Sequence, residues 1–210
     1  MSPSDRLHDG VEVLGLDLSP ATLSALRRYG ALLAKWNRTY NLTAIRDADE
    51  IERLHLLDAL TVLPALADVA RLADIGSGAG LPGIPIALCR PDMKVTLIES
   101  NRKKSAFLNQ AKIELSLANV SVCAQRVEDV SGAGVFDAVI CRAFADLATF
   151  VSKAGHLLAS DGELLAMKGR AELAVDAELP SGWCLRRIEP LLLPGSPDAR
   201  HLVHIGRASA

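Results

Sequence analysis

The spacing of apolar positions changes once along this chain, close to residue 66. Before it, Leu23, Leu26, Leu33, Trp36 and Tyr40 recur at helical intervals. Ser19 and Pro20 just upstream supply an N-cap and a first helical position. A second helix starts at Asp47-Ala48-Asp49-Glu50, where Asp47 and Glu50 stand at capping-box spacing. Ile51, Leu54, Leu57 and Leu60 make its buried side, and Pro64 lies near its end. Beyond that, short extended runs alternate with helical patterns. Strands are predicted at 71–75, 94–98, 120–124, 137–141 and 163–167, and helices at 82–89, 102–117, 146–158 and 170–178. Two last extended segments, near 183–190 and 201–206, flank Pro194-Gly195-Ser196-Pro197 and suit an antiparallel pair at a sheet edge. Such alternation predicts an α/β fold, a mostly parallel seven-stranded sheet with right-handed crossovers and helices on both faces. Residues 1–66 are expected to form an N-terminal helical cap, packed on a core of residues 67–210 as one compact domain.

The junction after the first predicted strand carries the chemistry. It reads Asp74-Ile75-Gly76-Ser77-Gly78-Ala79-Gly80-Leu81-Pro82-Gly83. Glycines let a backbone turn tightly and approach a ligand with no Cβ in the way, and a helix start offers unpaired N–H groups. Strand, glycine turn and helix form the nucleotide-binding corner of a doubly wound sheet. Read from Gly78, the run is Gly78-x-Gly80-x-x-Gly83, a dinucleotide fingerprint. Read from Asp74, it is Asp74-x-Gly76-x-Gly78-x-Gly80, the pattern of S-adenosylmethionine (SAM) methyltransferases with a Rossmann-like fold. Glu99, at the end of the second strand, suits the ribose hydroxyls of either cofactor. Asp74 favours SAM, because a carboxylate there faces a cationic methionine end, whereas a pyrophosphate has less use for it.

Composition narrows the partners. Of the 210 residues, 50% are hydrophobic and only 4% aromatic, which suits a Leu/Ala/Val-rich α/β domain. The net charge of −2 requires any nucleic acid to be met by a local basic patch. Arg27, Arg28, Lys35 and Arg38 supply positive charge on the N-terminal helix. The four cysteines show no metal-ligand spacing and read as reduced cytosolic thiols. The N-terminus has no apolar signal-peptide region, and no apolar run reaches the ~20 residues that span a bilayer.

Several segments in order bring a family into view. They are Trp36-Asn37-x-x-x-Asn41-Leu42-Thr43, His55-x-x-Asp58, Asp74 to Pro85, Glu99-Ser100-Asn101-Arg102-Lys103-Lys104, Arg126-Val127-Glu128, Arg142-Ala143-Phe144-Ala145 and Lys168-Gly169. Over roughly residues 15–205 the chain resembles the bacterial small-subunit ribosomal RNA methyltransferase G family, also called glucose-inhibited division protein B. It departs at Ala59, where serine is usual. The resemblance implies SAM-dependent methylation of N7 of a guanine in the decoding-region loop of 16S ribosomal RNA. It implies that Gly76 and Leu81 line the methionine side of the cofactor. Glu99, Ser100 and Asn101 would hold the ribose and flank the adenine, Val127 and Glu128 would contact the adenine edge, and Arg142 would sit at the mouth of the site. The expected partner is 16S rRNA, in the small subunit or an assembly intermediate, met by a cytoplasmic monomer with no membrane contact.

Methylating N7 of guanine needs no base, so no dedicated catalytic residue is expected; Arg142 and Lys168 are candidates for positioning substrate. No Asn/Asp-Pro-Pro-aromatic motif follows the fourth strand, which disfavours exocyclic-amine methylation. Cys141 reads as a small buried strand residue rather than a nucleophile. Trp36 and Tyr40 read as core, and Asn37, Asn41 and His55 as braces of a junction. Phe144 suits either core packing or base stacking, and Arg102-Lys103-Lys104 either a phosphate patch or a solvated first turn. Alternative functions are a SAM enzyme acting on a non-RNA substrate, a nicotinamide oxidoreductase built on Gly78, Gly80 and Gly83, and a non-catalytic binding module.

Overall fold

Seven strands make one sheet: β1 (Arg71–Ile75), β2 (Lys94–Ile98), β3 (Val120–Cys123), β4 (Phe136–Cys141), β5 (Leu158–Gly169), β6 (Trp183–Leu191) and β7 (Arg200–Arg207). The computed structural model describes residues 3–132, 134–142, 144, 146–169 and 178–208. Strand order is β3-β2-β1-β4-β5-β7-β6. The first five strands are parallel, and β7 pairs antiparallel with both β5 and β6. The order reverses between β1 and β4, so the loops leaving their C-terminal ends diverge there and open the crevice where such sheets bind ligands.

Both faces of the sheet are covered. On β1, Leu72 belongs to a core shared with Leu7, Leu26 and Leu33 of the N-terminal helices and with Phe107 and Leu108. Ala73 and Ile75 point the other way, into a core with Phe150, Val151 and Val203. Near-continuous burial is what parallel strands between two helical layers require. The helices beyond the cap are α5 (Gly83–Cys89), α6 (Arg102–Glu114) and α7 (Leu147–Ala154), and α1 to α4 belong to the cap. They are α1 (Pro3–Val13), α2 (Pro20–Tyr40), α3 (Ala48–Ile51) and α4 (Asp58–Leu60), with π-helical turns over Glu52–Leu57.

Ser19 caps α2, its side chain accepting from Thr22 N, and Asp47 caps α3 by accepting from Glu50 N. Several expectations need correction. Helix α1 has too few apolar residues to announce itself, yet its Leu7 and Val11 are buried. The second helix is not regular: the π-helical stretch shifts its buried side to His55, Leu56, Leu57 and Asp58, leaving Leu54 half-buried. Helix α6 stops at Glu114 rather than 117, since Ser116 takes a left-handed φ of 54° and Leu117 N turns back to Lys112 O. Strand β5 begins at Leu158, five residues early, because Ser160-Asp161-Gly162 is absorbed as a bulge where pairing with β4 jumps from Leu158 to Glu163. The helix expected over 170–178 lies, apart from its last position, outside the described residues.

Candidate cofactor and substrate site

Asp74, next to last in β1, is wholly buried. Its Oδ2 accepts from Gly83 N at 2.9 Å, tying the far end of the glycine loop to the strand. Its Oδ1 has no partner among the described residues. Burial pushes this carboxyl up to about 7, against the opposing pull of the Gly83 N–H and of Arg142. The loop is pinned elsewhere too. Gly76 N and Ser77 N donate to Ile98 O of β2, and the buried Tyr29 hydroxyl of α2 donates to Ala79 O at 2.6 Å. The cap thus reaches the loop directly.

The glycines divide into two pairs. Gly76, Gly78 and Gly80 all have positive φ, 64°, 58° and 88°. A Cβ on Gly76 would meet nothing within 4 Å, and one on Gly78 only Gly76 O at 3.7 Å. On Gly80 it would lie 2.4 Å from Ile84 Cδ1, and on Gly83 2.3 Å from Leu97 Cδ2. Gly80 and Gly83 therefore make room for the core, while Gly76 and Gly78 face open space. A dinucleotide fingerprint starting at Gly78 needs its second glycine, Gly80, free for the pyrophosphate. Here that direction is filled by protein. The open pair following a buried acid fits the SAM reading.

Glu99 closes the next corner, only 7% exposed. Its Oε2 accepts from Gly78 N and its Oε1 from Asn101 N, each at 2.8 Å. Each oxygen keeps a second lone pair for a hydroxyl donor. Asn101 caps α6, accepting from Lys103 N and Lys104 N, and Ser100 beside it is exposed. Leu81 is placed differently from a simple lining residue, for its side chain is buried in the main core. Val127 is buried against the opposite core at the turn after β3. Glu128 is turned to the surface, its Oε1 2.7 Å from Lys153 Nζ of α7.

Beyond β4 the structure assembles a polar cluster. Arg142 reaches back to the π-helical turns, its Nη1 3.3 Å from His55 Nδ1 and 3.6 Å from Asp58 Oδ2. Arg200, opening β7, approaches the other oxygen of Asp58 at 3.3 Å. One buried carboxylate thereby fixes two guanidinium groups. Burial and the neighbouring Arg142 push His55 down to about 4, so it is neutral at pH 7. Its Nε2 lies 2.7 Å from Thr43 Oγ1, and Asn37 clamps residues 43–45 by accepting from Thr43 N and donating to Ile45 O. Asn41 ends α2 in a left-handed conformation and accepts from Arg46. The signature Asn37 to Thr43 is a brace, as expected, and what it braces is Arg142. Lys168 is buried and donates to Phe144 O. Phe144 packs on Phe150, centroids 5.3 Å apart. Cys141 is buried, which pushes its thiol far up and excludes a thiolate nucleophile. Arg142, Lys168, Arg200, His201, His55 and Asp58 line a cleft of about 310 Å³. Arg200 and His201 were not singled out from the sequence. Only the antiparallel register, Lys168 opposite His201 and Gly169 opposite Arg200, brings them here.

Among solved structures, the fold matches a SAM-dependent methyltransferase from Aquifex aeolicus (13% identity, TM-score 0.59, covering 82% of this chain and 97% of that one). It also matches TrmN from Thermus thermophilus (18% identity, TM-score 0.58, covering 82% and 53%). The fold is that of SAM-dependent methyltransferases. The family described as rRNA small subunit methyltransferase G matches residues 22–203. Proteins called ribosomal RNA small subunit methyltransferase G are similar over nearly the whole length. One from Azoarcus sp. (strain BH72) is 50% identical, covering 96% of this chain and 95% of its own. One from Neisseria meningitidis serogroup C is 47% identical, covering 99% and 100%. The chain belongs to this family.

Proposed function

We propose that this protein transfers the methyl group of SAM to N7 of a guanine in the decoding-region loop of 16S ribosomal RNA. The observation that carries the reading is the cationic cleft held by Asp58 beside the glycine loop. Among the described residues that line it, Asp58 is the one carboxylate and is already shared by two arginines, so these residues present net positive charge to an anionic substrate. The names of the nearly full-length relatives supply the RNA class.

The residues fit the cofactor. Gly76 and Gly78 leave its approach open, Glu99 has lone pairs for ribose hydroxyls, and Asp74 Oδ1 is a buried acceptor without a donor. Asn101 and Ser100 follow Glu99 directly, and Val127 and Glu128, at the turn after β3, are the residues proposed for the adenine edge. When bound, SAM supplies an electrophilic methyl on a sulfonium. Guanine N7 offers a lone pair and carries no proton, so no residue has to remove one. The chain's own part is to align N7 and to favour the shift of positive charge onto the purine. Arg142 serves that alignment, oriented by Asp58 and by the Thr43–His55 brace, with Lys168 supporting the Phe144 loop.

Among the described residues, no helix is long and apolar enough to cross a membrane. Among the described residues, the exposed large apolar side chains Val13, Tyr40, Ile113, Val135, Leu185 and Leu192 are scattered over separate segments, which supports a monomer. The test is methyl transfer from labelled SAM to small ribosomal subunits from cells lacking the protein. New 7-methylguanosine in the digested rRNA is expected. Label in another nucleoside, or none with SAM binding intact, refutes the proposal.

A further inference from the structure

Helices α2 and α6 lie antiparallel. Arg28, early in α2, donates to Glu114 O at the end of α6, and further along Trp36 meets Phe107 with ring centroids 5.6 Å apart. Continued, this register brings Tyr40, the last residue of α2, level with Lys103 and Lys104 in the first turn of α6. Tyr40 was expected in the core, yet it is 42% exposed. One face of its ring stacks on Trp36, centroids 5.1 Å apart at 27°. The rest of the side chain keeps that exposure to solvent.

The charge around it is uncompensated. The first turn of α6 holds Arg102, Lys103 and Lys104 and no acidic residue, against the helix dipole. Arg38, exposed on the last turn of α2 but on a different face of that helix from Tyr40, is a fourth cation at this end. None of the four is ion-paired with a described residue. The start of α6 follows Glu99, so the patch adjoins the cofactor corner. A flat aromatic face bordered by cations is the arrangement that receives a single-stranded nucleic acid, with the base on the ring and the phosphates on the ammonium groups. An acidic peptide would answer the charge but would make no use of an open ring face.

We infer that Tyr40, backed by Trp36 and flanked by Lys103 and Lys104, is a stacking platform for an unpaired base of the RNA substrate. The inference rests on the reading of 16S rRNA as substrate. Filter binding of purified 16S rRNA to the wild type, Tyr40→Ala and Tyr40→Phe tests it. The alanine variant should bind about tenfold more weakly, which is ~1.4 kcal/mol, and the phenylalanine variant within about twofold of wild type. In methyl-transfer assays Tyr40→Ala should raise KM for RNA and leave kcat and S-adenosylhomocysteine affinity unchanged. Lys103→Gln with Lys104→Gln should flatten the slope of log affinity against log salt by about 1.4, from ~0.7 per single-strand phosphate. If Tyr40→Ala does not fold, Tyr40→Leu, which keeps apolar cover over Trp36 without a π face, replaces it. Unchanged RNA affinity in the folded variant, or equal loss in Tyr40→Phe, overturns the platform. RNA binding that depends on Tyr40 without 7-methylguanosine formation supports the platform and overturns only the proposed reaction.

Discussion

Gly76 and Gly80 share a positive φ, so an alanine at either one takes on a similar backbone strain of about 1–2 kcal/mol. What differs is where the new methyl points. At Gly76 it meets nothing within 4 Å. At Gly80 it lies 2.4 Å from Ile84 Cδ1 and 3.0 Å from Leu108 Cδ2, both in fully buried side chains. Overpacking of that kind adds about 1–3 kcal/mol. For a chain of this size each kcal/mol moves Tm by roughly 2–4 °C. Gly76→Ala should therefore lower Tm of the free protein by roughly 2–8 °C and Gly80→Ala by roughly twice that.

The ligand response should run the other way. S-adenosylhomocysteine at about 100 times its Kd stabilises the wild type by ~2.7 kcal/mol, a rise of roughly 5–10 °C. Gly76→Ala should lose most of that rise, because its methyl enters the cofactor's approach. Gly80→Ala should keep the larger part, since its methyl points into the core. Differential scanning fluorimetry with and without the ligand reads both quantities from one series. A wild-type ligand shift in Gly76→Ala, together with its loss in Gly80→Ala, would refute the division of the glycines into open and packed pairs.

Arg142→Ala should cut methyl transfer at least tenfold while lowering Tm by only a few degrees; matching losses in the two measurements would make the residue structural. Asp58→Ala leaves Arg142 and Arg200 without their shared carboxylate. Breaking a buried pair costs about 3–5 kcal/mol, lowered to about 2 here because both arginines keep 28% exposure to water. Its Tm should fall by roughly 4–8 °C and kcat should fall with it; an unaltered kcat would detach Asp58 from the positioning of Arg142. Asp74 gives a pH dependence of definite sign. Its folded pKa of about 7 is raised above the ordinary carboxylate value, so the native state holds the proton longer than the unfolded chain. The associated stability is complete below about pH 4 and is lost as pH rises through 7. Relative to Asp74→Asn, the free wild type should lose Tm between pH 5 and pH 8, and parallel curves for the two proteins would contradict this.

What the sequence revealed and what it hid follow from range. β1 and β2 were legible to the residue because each is a short apolar run between a cap or turn and a glycine or charged stop. The Asp74 to Gly83 loop was legible because its unusual backbone needs consecutive glycines. The split among those glycines was not, since it depends on Ile84, Leu97 and Leu108 arriving from other elements. The π-helical turns were hidden for a related reason: Ile51, Leu54, Leu57 and Leu60 satisfy a regular α-helical spacing, while the structure turns His55 and Asp58 inward, where Arg142 and Arg200 meet Asp58. Arg200 itself sits in sequence beyond a Pro-Gly-Ser-Pro turn and joins the site through strand pairing with β5, which no local pattern encodes. Tyr40 matches the apolar face of α2 in spacing, but its neighbours end before they can cover it.

Two buried polar centres show how satisfaction separates architecture from ligand recognition. His204, at the centre of β7, is fully buried, with Glu163 Oε2 at 2.8 Å on one ring nitrogen and Glu189 Oε2 at 3.2 Å on the other. Three strands are tied together there and both ring nitrogens are answered, so the cluster specifies the pairing of β5, β7 and β6 without needing anything further. Asp74 is equally buried but answered on one oxygen only. A half-satisfied carboxylate in the core is a standing cost to stability, visible in its raised pKa, and nothing in the packing of β1 requires it. It is tolerable if a cationic ligand completes the hydrogen bonding, and it lies where the two open glycines admit one. The same logic sets Asp58 apart from an incidental ion pair, because its two arginines hold it satisfied while their remaining N–H groups face the cleft. The half-satisfied carboxylate of Asp74 thus lies at the C-terminal end of the sheet, on the side where Arg142 leaves β4, and its cost falls to whatever donor reaches Oδ1.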